Sequence, residues 1–188
     1  MSVRMCVIVI DMLNDFVTGD LKCERAEKII PKIKKLVEAA RKHNVPVIYS
    51  NDAHYPQDVE VVHKWGKHAI KGTKGAEVIP ELKPAEKDYV VEKRTYSGFY
   101  ETGLDPLLRS LYDGKGVKTV ILTGLHTNIC IRHTAADAFF RGYKIIVAKD
   151  CVEAFTQEDH EQGLKYMENV YNAKLLTADE IIRQFAKA

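Results

Sequence analysis

The stretch Met5-Cys6-Val7-Ile8-Val9-Ile10-Asp11 decides the fold: six apolar residues, four of them β-branched, run without interruption into a carboxylate. A strand with one face in water alternates apolar and polar side chains, whereas a continuous run of this length is a strand covered on both faces. Lys118 to Thr123 and Lys144 to Ala148 read the same way. Val45 to Tyr49, Tyr89 to Val91 and Ala173 to Leu176 bring the candidate strands to six. Between them lie segments long enough for crossover helices: Arg25 to His43, Gly103 to Asp113, Asn128 to Arg141 and Gln157 to Asn169. The first carries Ile29, Ile30, Ile33, Leu36 and Val37 at helical spacing, and Gly114, Gly116 and Gly142 fall where helices should stop. The pattern predicts an α/β fold in three layers, α/β/α, around a six-stranded, mostly parallel sheet in the order 3-2-1-4-5-6.

Composition agrees with a single domain over residues 1–188. With 188 residues, 46% of them hydrophobic, the chain can fill one sizeable core and hardly two. Lys and Arg number 28 against 26 Asp and Glu, a net charge of +2 spread along the chain, which argues against nucleic acid as a partner. No run of 18 apolar residues suggests a membrane span, and the first ten residues lack the pattern of a signal peptide. The four cysteines, Cys6, Cys23, Cys130 and Cys151, form no CxxC pair and read as free thiols, so the expected location is the cytoplasm.

In an open parallel sheet ligands bind beyond the carboxyl ends of the strands, where strand order reverses. The first strand ends in Asp11, a candidate general base or a simple turn cap. The fourth runs into Thr123-Gly124-Leu125-His126-Thr127-Asn128-Ile129-Cys130 and then a small-residue helix. Gly124 permits a tight turn, Thr127 or Asn128 can cap the helix, and Cys130 falls in its first turn. There the helix dipole favours a thiolate, and free N–H groups can hold an oxyanion. Strands one and four are neighbours in the predicted order, so Asp11 and Cys130 should emerge side by side. Lys93, at the end of the third strand, could reach the same cleft, although alone it reads as a solvated charge. His126 and His133 are rival bases for Cys130. One long irregular connection, Asn51 to Gly75, stands out, since compact domains seldom keep about 25 such residues without a use. It holds Asp52, His54 and, fourteen residues on, His68: two imidazoles and a carboxylate that could hold zinc, iron or manganese. His63 is a rival third ligand, and His43 and His160 read as solvated helix-face residues.

These motifs, Val-Ile-Asp-Met-Leu-Asn-Asp-Phe ending at Phe16, Asp52-Ala-His54, Trp65-Gly-Lys-His68 with Gly75-Ala-Glu, Lys93 with Tyr96-Ser-Gly-Phe99, and Gly124 to Cys130, occur in one order. Together they resemble the isochorismatase-like cysteine hydrolases, most closely the nicotinamidase branch. The resemblance implies an Asp–Lys–Cys triad at Asp11, Lys93 and Cys130, and a cis peptide bond between Leu125 and His126. It also implies an oxyanion hole from the N–H groups of His126 and Cys130, a divalent metal, usually zinc, on Asp52, His54 and His68, and a pyridine ring held between Phe16 and Trp65. The activity it implies is hydrolysis of a small carboxamide, nicotinamide to nicotinate and ammonia, through a thioester. Related hydrolases often associate, so a homo-oligomer is expected. Alternatives are an N-carbamoyl or ureido amidase, an isochorismatase, or a non-catalytic nucleotide-binding or scaffold module. The first strand is followed by neither GxGxxG nor GxxxxGK[ST], so no phosphate cradle is evident for the last.

Overall fold

A computed structural model describes residues 4–186. Its six strands are β1 (Met5–Ile10), β2 (Val47–Asp52), β3 (Tyr89–Lys93), β4 (Thr119–Leu125), β5 (Lys144–Glu153) and β6 (Lys174–Leu176). They form one sheet in the order β3-β2-β1-β4-β5-β6, and every neighbouring pair is parallel. Helices α1 (Asn14–Val17), α2 (Ile30–Lys42), α3 (Leu104–Ser110), α4 (Arg132–Phe140), α5 (Gln157–Tyr171) and α6 (Ala178–Phe185) cover it.

The alternation of β1 side chains divides the core. Val7 and Val9 point into one apolar layer with Ile33 and Leu36 of α2 and Ile181 and Phe185 of α6. Cys6, Ile8 and Ile10 point into the other, with Leu104 and Leu108 of α3, Ala135 and Ala138 of α4 and Met167 of α5. Both faces of β1 are dry, which is why its sequence shows no polar residue before Asp11.

Several elements differ from the sequence reading. Helix α6 was not expected, yet its start carries a capping box. The Thr177 side chain accepts from the Glu180 N–H at 3.3 Å, and the Glu180 carboxylate accepts from the Thr177 N–H at 2.7 Å. The segment expected as one helix from Asn128 is a π turn, Thr127–Ile131, followed by α4, and neither Thr127 nor Asn128 caps it. Likewise α2 is preceded by a 3-10 turn, Ala26–Ile29. Strand β2 starts later and runs on to Asp52, and β5 continues to Glu153 through polar residues that hid its length. The long connection is not featureless: it contains a π turn, Val61–Trp65, and 3-10 turns at Lys74–Ala76 and Pro80–Leu82.

Candidate active site

The parallel register sets the carboxyl ends of β1, β2, β3 and β4 side by side. Asp52 is opposite Lys93 and Ile10 opposite Gly124. Asp11 leaves β1 with φ of +54°, a conformation that costs an L residue energy and turns the carboxylate back over the sheet. One carboxylate oxygen accepts from the Asp52 N–H at 2.8 Å. The other lies 2.8 Å from the Lys93 ammonium, which also meets Asp52 at 2.5 Å and donates to the Cys130 sulfur at 3.6 Å. Lys93 is therefore no solvated charge: its side chain is fully buried. Asp11, Asp52 and Cys130 converge on one spot, and the cation among them is this ammonium.

Burial sets the electrostatics. It raises the Asp11 carboxyl, with help from Asp52 and against the pull of Lys93, to about 6. Burial would raise Asp52 as well, but Lys93 and His54 outweigh it and hold that group at about 2. The Cys130 thiol is pushed well above its ordinary value, chiefly by burial, while Lys93 acts the other way. Desolvation thus opposes the thiolate that the Lys93 ammonium favours.

The peptide bond between Leu125 and His126 is cis. Among the described residues the His126 N–H finds no backbone acceptor, and the π turn that follows carries Cys130. Leu125 contributes only its backbone here, since its side chain lies in the core. Neither rival base meets the sulfur. The His133 ring is exposed and bonded to the Ile129 carbonyl at 2.8 Å, and His126 lies against Phe155. His160, expected in solvent, is half-buried and hydrogen-bonds Thr127 at 2.9 Å behind the nucleophile turn.

Beside this cluster Asp52, His54 and His68 come together with a fourth group, Glu60, their ligand atoms within 4.8 Å of one another. His63 stays exposed and apart. The donor set suits a divalent ion such as zinc. Two imidazoles and two carboxylates converge, and the ring nitrogens of buried His54 make no close hydrogen bond, the nearest carboxylate oxygens being those of Asp52 at 3.4 Å and Asp58 at 3.5 Å. The His68 ring is oriented by its Nδ1–H, which donates to the Gly66 carbonyl at 2.8 Å and leaves Nε2 free. Its loop is pinned by Asp15, whose carboxylate accepts from the Ala69 N–H at 2.8 Å. Only glycine fits at position 75, where a β-carbon would stand 2.1 Å from Asp15 Oδ2. Glu60 left no mark in the sequence, because nothing in its spacing from Asp52 and His54 distinguishes it from a solvated acid.

A narrow pocket is lined by Cys130 together with Phe16, Trp65, Tyr96, His126 and Phe155. Trp65 tilts over Phe155 at 5.9 Å and donates to the Tyr96 hydroxyl at 3.1 Å. The pocket has about 10 Å³ of free volume, room for roughly one water. A wider groove of about 840 Å³ shares Glu60 and Tyr96 with it.

Residues 5–180 match the sequence family described as Isochorismatase domain. The Bacillus subtilis (strain 168) protein called uncharacterized isochorismatase family protein YaaI is 36% identical over 183 residues, 95% of this chain and 96% of that one. The crystal structure of N-carbamoylsarcosine amidase from Thermoplasma acidophilum superposes with a TM-score of 0.86 at 43% identity, covering 94% of this chain and 97% of that one. The pyrazinamidase of Pyrococcus horikoshii, solved in complex with zinc, gives a TM-score of 0.85 at 29% identity over 93% of this chain and 99% of that one.

Proposed function

Because the chain belongs to the isochorismatase family, we propose that it is a cysteine-dependent amidohydrolase that splits a small carboxamide into acid and ammonia through a thioester. The observation that carries this reading is the Lys93 ammonium, buried and within reach of both the Asp11 carboxylate and the Cys130 sulfur. A buried lysine with no salt-bridge partner but acids is ordinary; one that also touches a cysteine sulfur serves to hold charge on that sulfur.

In this mechanism Asp11 takes the proton of Cys130, and the thiolate adds to the carboxamide carbon. The N–H groups of His126 and Cys130 hold the oxyanion. Ammonia leaves with the proton returned by Asp11. Water then attacks the thioester and gives its proton to Asp11, the C–S bond breaks, and the acid departs as Asp11 returns the proton to the Cys130 sulfur. Lys93 stays protonated throughout and offsets the negative charge as it moves from carboxylate to sulfur. A zinc or similar ion bound by Asp52, His54, Glu60 and His68 would supply a Lewis-acid point that takes a lone pair of the substrate and orients it.

The aromatic lining of the pocket, Phe16, Trp65 and Phe155, and the zinc-bound pyrazinamidase among the relatives support a ring carboxamide such as nicotinamide. A second reading, an N-carbamoyl amide, is favoured by the 43% identity with N-carbamoylsarcosine amidase. Both use the same sulfur. Cleavage of the isochorismate vinyl ether needs no thiol nucleophile, so Cys130 counts against it. An ammonia-release screen over nicotinamide, pyrazinamide, N-carbamoyl amides and ureides, with isochorismate assayed separately, tests the proposal. Ammonia from at least one amide is expected, and turnover of isochorismate alone would overturn it.

A further inference from the structure

The polar side chains that face the narrow pocket are nearly all engaged. Asp52 pairs with Lys93, Glu60 accepts from Thr95, His68 donates to Gly66, and Trp65 donates to Tyr96. His126 is the exception. The residue is 3% exposed, and its Nε2 is buried without a hydrogen-bond partner among the described residues. Dry, unpaired nitrogens of this kind are rare in folded proteins, and a site that keeps one is shaped for a group that arrives with the ligand. The ring is also held in place. Phe155 stacks on it at 4.2 Å with 24° between the planes, and Phe16 meets it edge-on at 5.6 Å. Burial drives its pKa down to about 4, so the imidazole is neutral in any ordinary buffer and one ring nitrogen is an acceptor.

We propose that the His126 imidazole is the specificity-determining residue of the site, its Nε2 accepting a hydrogen bond from an N–H that the substrate carries next to the scissile carbonyl. The inference rests on the amidohydrolase reading and narrows it. An amide joined to the rest of the molecule through carbon has no such donor, whereas a ureido compound, R–NH–CO–NH₂, does. With a ureide the thiolate adds to the carbamoyl carbon, and the C–NH₂ bond breaks as ammonia leaves with the proton from Asp11. Water then breaks the C–S bond, and the carbamic acid released falls to carbon dioxide and the amine. A site that reads an N–H discriminates strongly against the analogue without it, because its own acceptor is then left unpaired.

The test uses two compounds of equal charge and length that differ by one atom, N-carbamoylglycine and succinamate, which has CH₂ where the ureide has N–H. Their binding to the full chain carrying Cys130→Ala, with zinc supplied, is measured by calorimetry, so that no turnover is needed. The ureide is expected to bind about tenfold or more tightly than succinamate. Adding His126→Phe, which keeps the aromatic stack and removes the nitrogen, should bring the ratio to within about twofold. His126→Gln, which retains an acceptor, should keep a preference. Equal binding of the two compounds, or of neither, in the Cys130→Ala protein overturns the inference without any change at His126. So does a preference that survives His126→Phe. Failure of the broader amidohydrolase reading would appear elsewhere, as wild-type protein that releases ammonia from no amide at all.

Discussion

Gly124 of β4 passes so close to Ile10 of β1 that a β-carbon at position 124 would stand 1.9 Å from the Ile10 carbonyl oxygen. The same residue has φ of +105°, and the pairing of β4 with β5 slips between Leu122 and this point. The sequence suggested a tight turn here. The glycine instead lets two strands approach at the level where one delivers Asp11 and the other the turn to Cys130. Gly124→Ala therefore meets backbone rather than a movable side chain, and should cost about 3 kcal/mol or more of stability. Urea denaturation measures it, and an unchanged midpoint would show that the strands can part at no cost.

The Asp11 carboxyl, raised to about 6 by burial and by Asp52, gives a pH signature. It acts as a base only when ionised, so kcat/KM on whichever amide is turned over should fall as pH drops through about 6. Asp11→Asn should abolish turnover at every pH. An acid limb near the ordinary aspartate value of about 4 would mean that the group is not desolvated in the working enzyme.

Tyr96 holds Trp65 over a pocket with about 10 Å³ of free volume, too little for any amide, so the indole or its neighbours must shift for substrate to enter. Tyr96→Phe removes the 3.1 Å hydrogen bond and nothing else of size. The chain has one tryptophan, so its fluorescence reports this side chain alone. The variant should show red-shifted emission and KM altered by up to about tenfold with little change in melting temperature. Emission identical to wild type would indicate that the indole is fixed by Phe155 and not by the hydroxyl.

Glu60 enlarges the group of Asp52, His54 and His68, and Glu60→Gln keeps its shape while removing its charge. Zinc affinity, measured by competition with a chelating dye, should fall at least tenfold. If the ion orients substrate, stripping it from wild type should raise KM at least as much as it lowers kcat. Equal zinc affinity in the variant would remove Glu60 from the set.

Much of this was legible in the chain because the sheet is buried on both sides. The unbroken run Met5–Ile10 and its counterpart in β4 can exist only under two helical layers, and the carboxyl ends of such strands are where ligands bind. Residues at strand ends were therefore readable, and Asp11, Lys93 and Cys130 do meet. What lies on irregular backbone was not. Glu60 precedes a π turn that Trp65 ends, and Phe155 follows a strand whose last residues, Asp150 to Glu153, look too polar for a sheet. Helix α6 had a readable start in Thr177-Ala178-Asp179-Glu180, the spacing of a capping box. His160 was misread because helical spacing places it at the surface, whereas Thr127 and Glu153 draw it inward.

In the proposed mechanism one sulfur, held by a carboxylate and an ammonium that come from other strands, carries the acyl group. Cys130→Ala removes that atom from a buried site with little change in volume, so the fold should survive, as circular dichroism can verify. Ammonia release by this variant, assayed on the best amide of the screen, is predicted to fall roughly a thousandfold or more. Release at a rate near that of wild type would contradict the account.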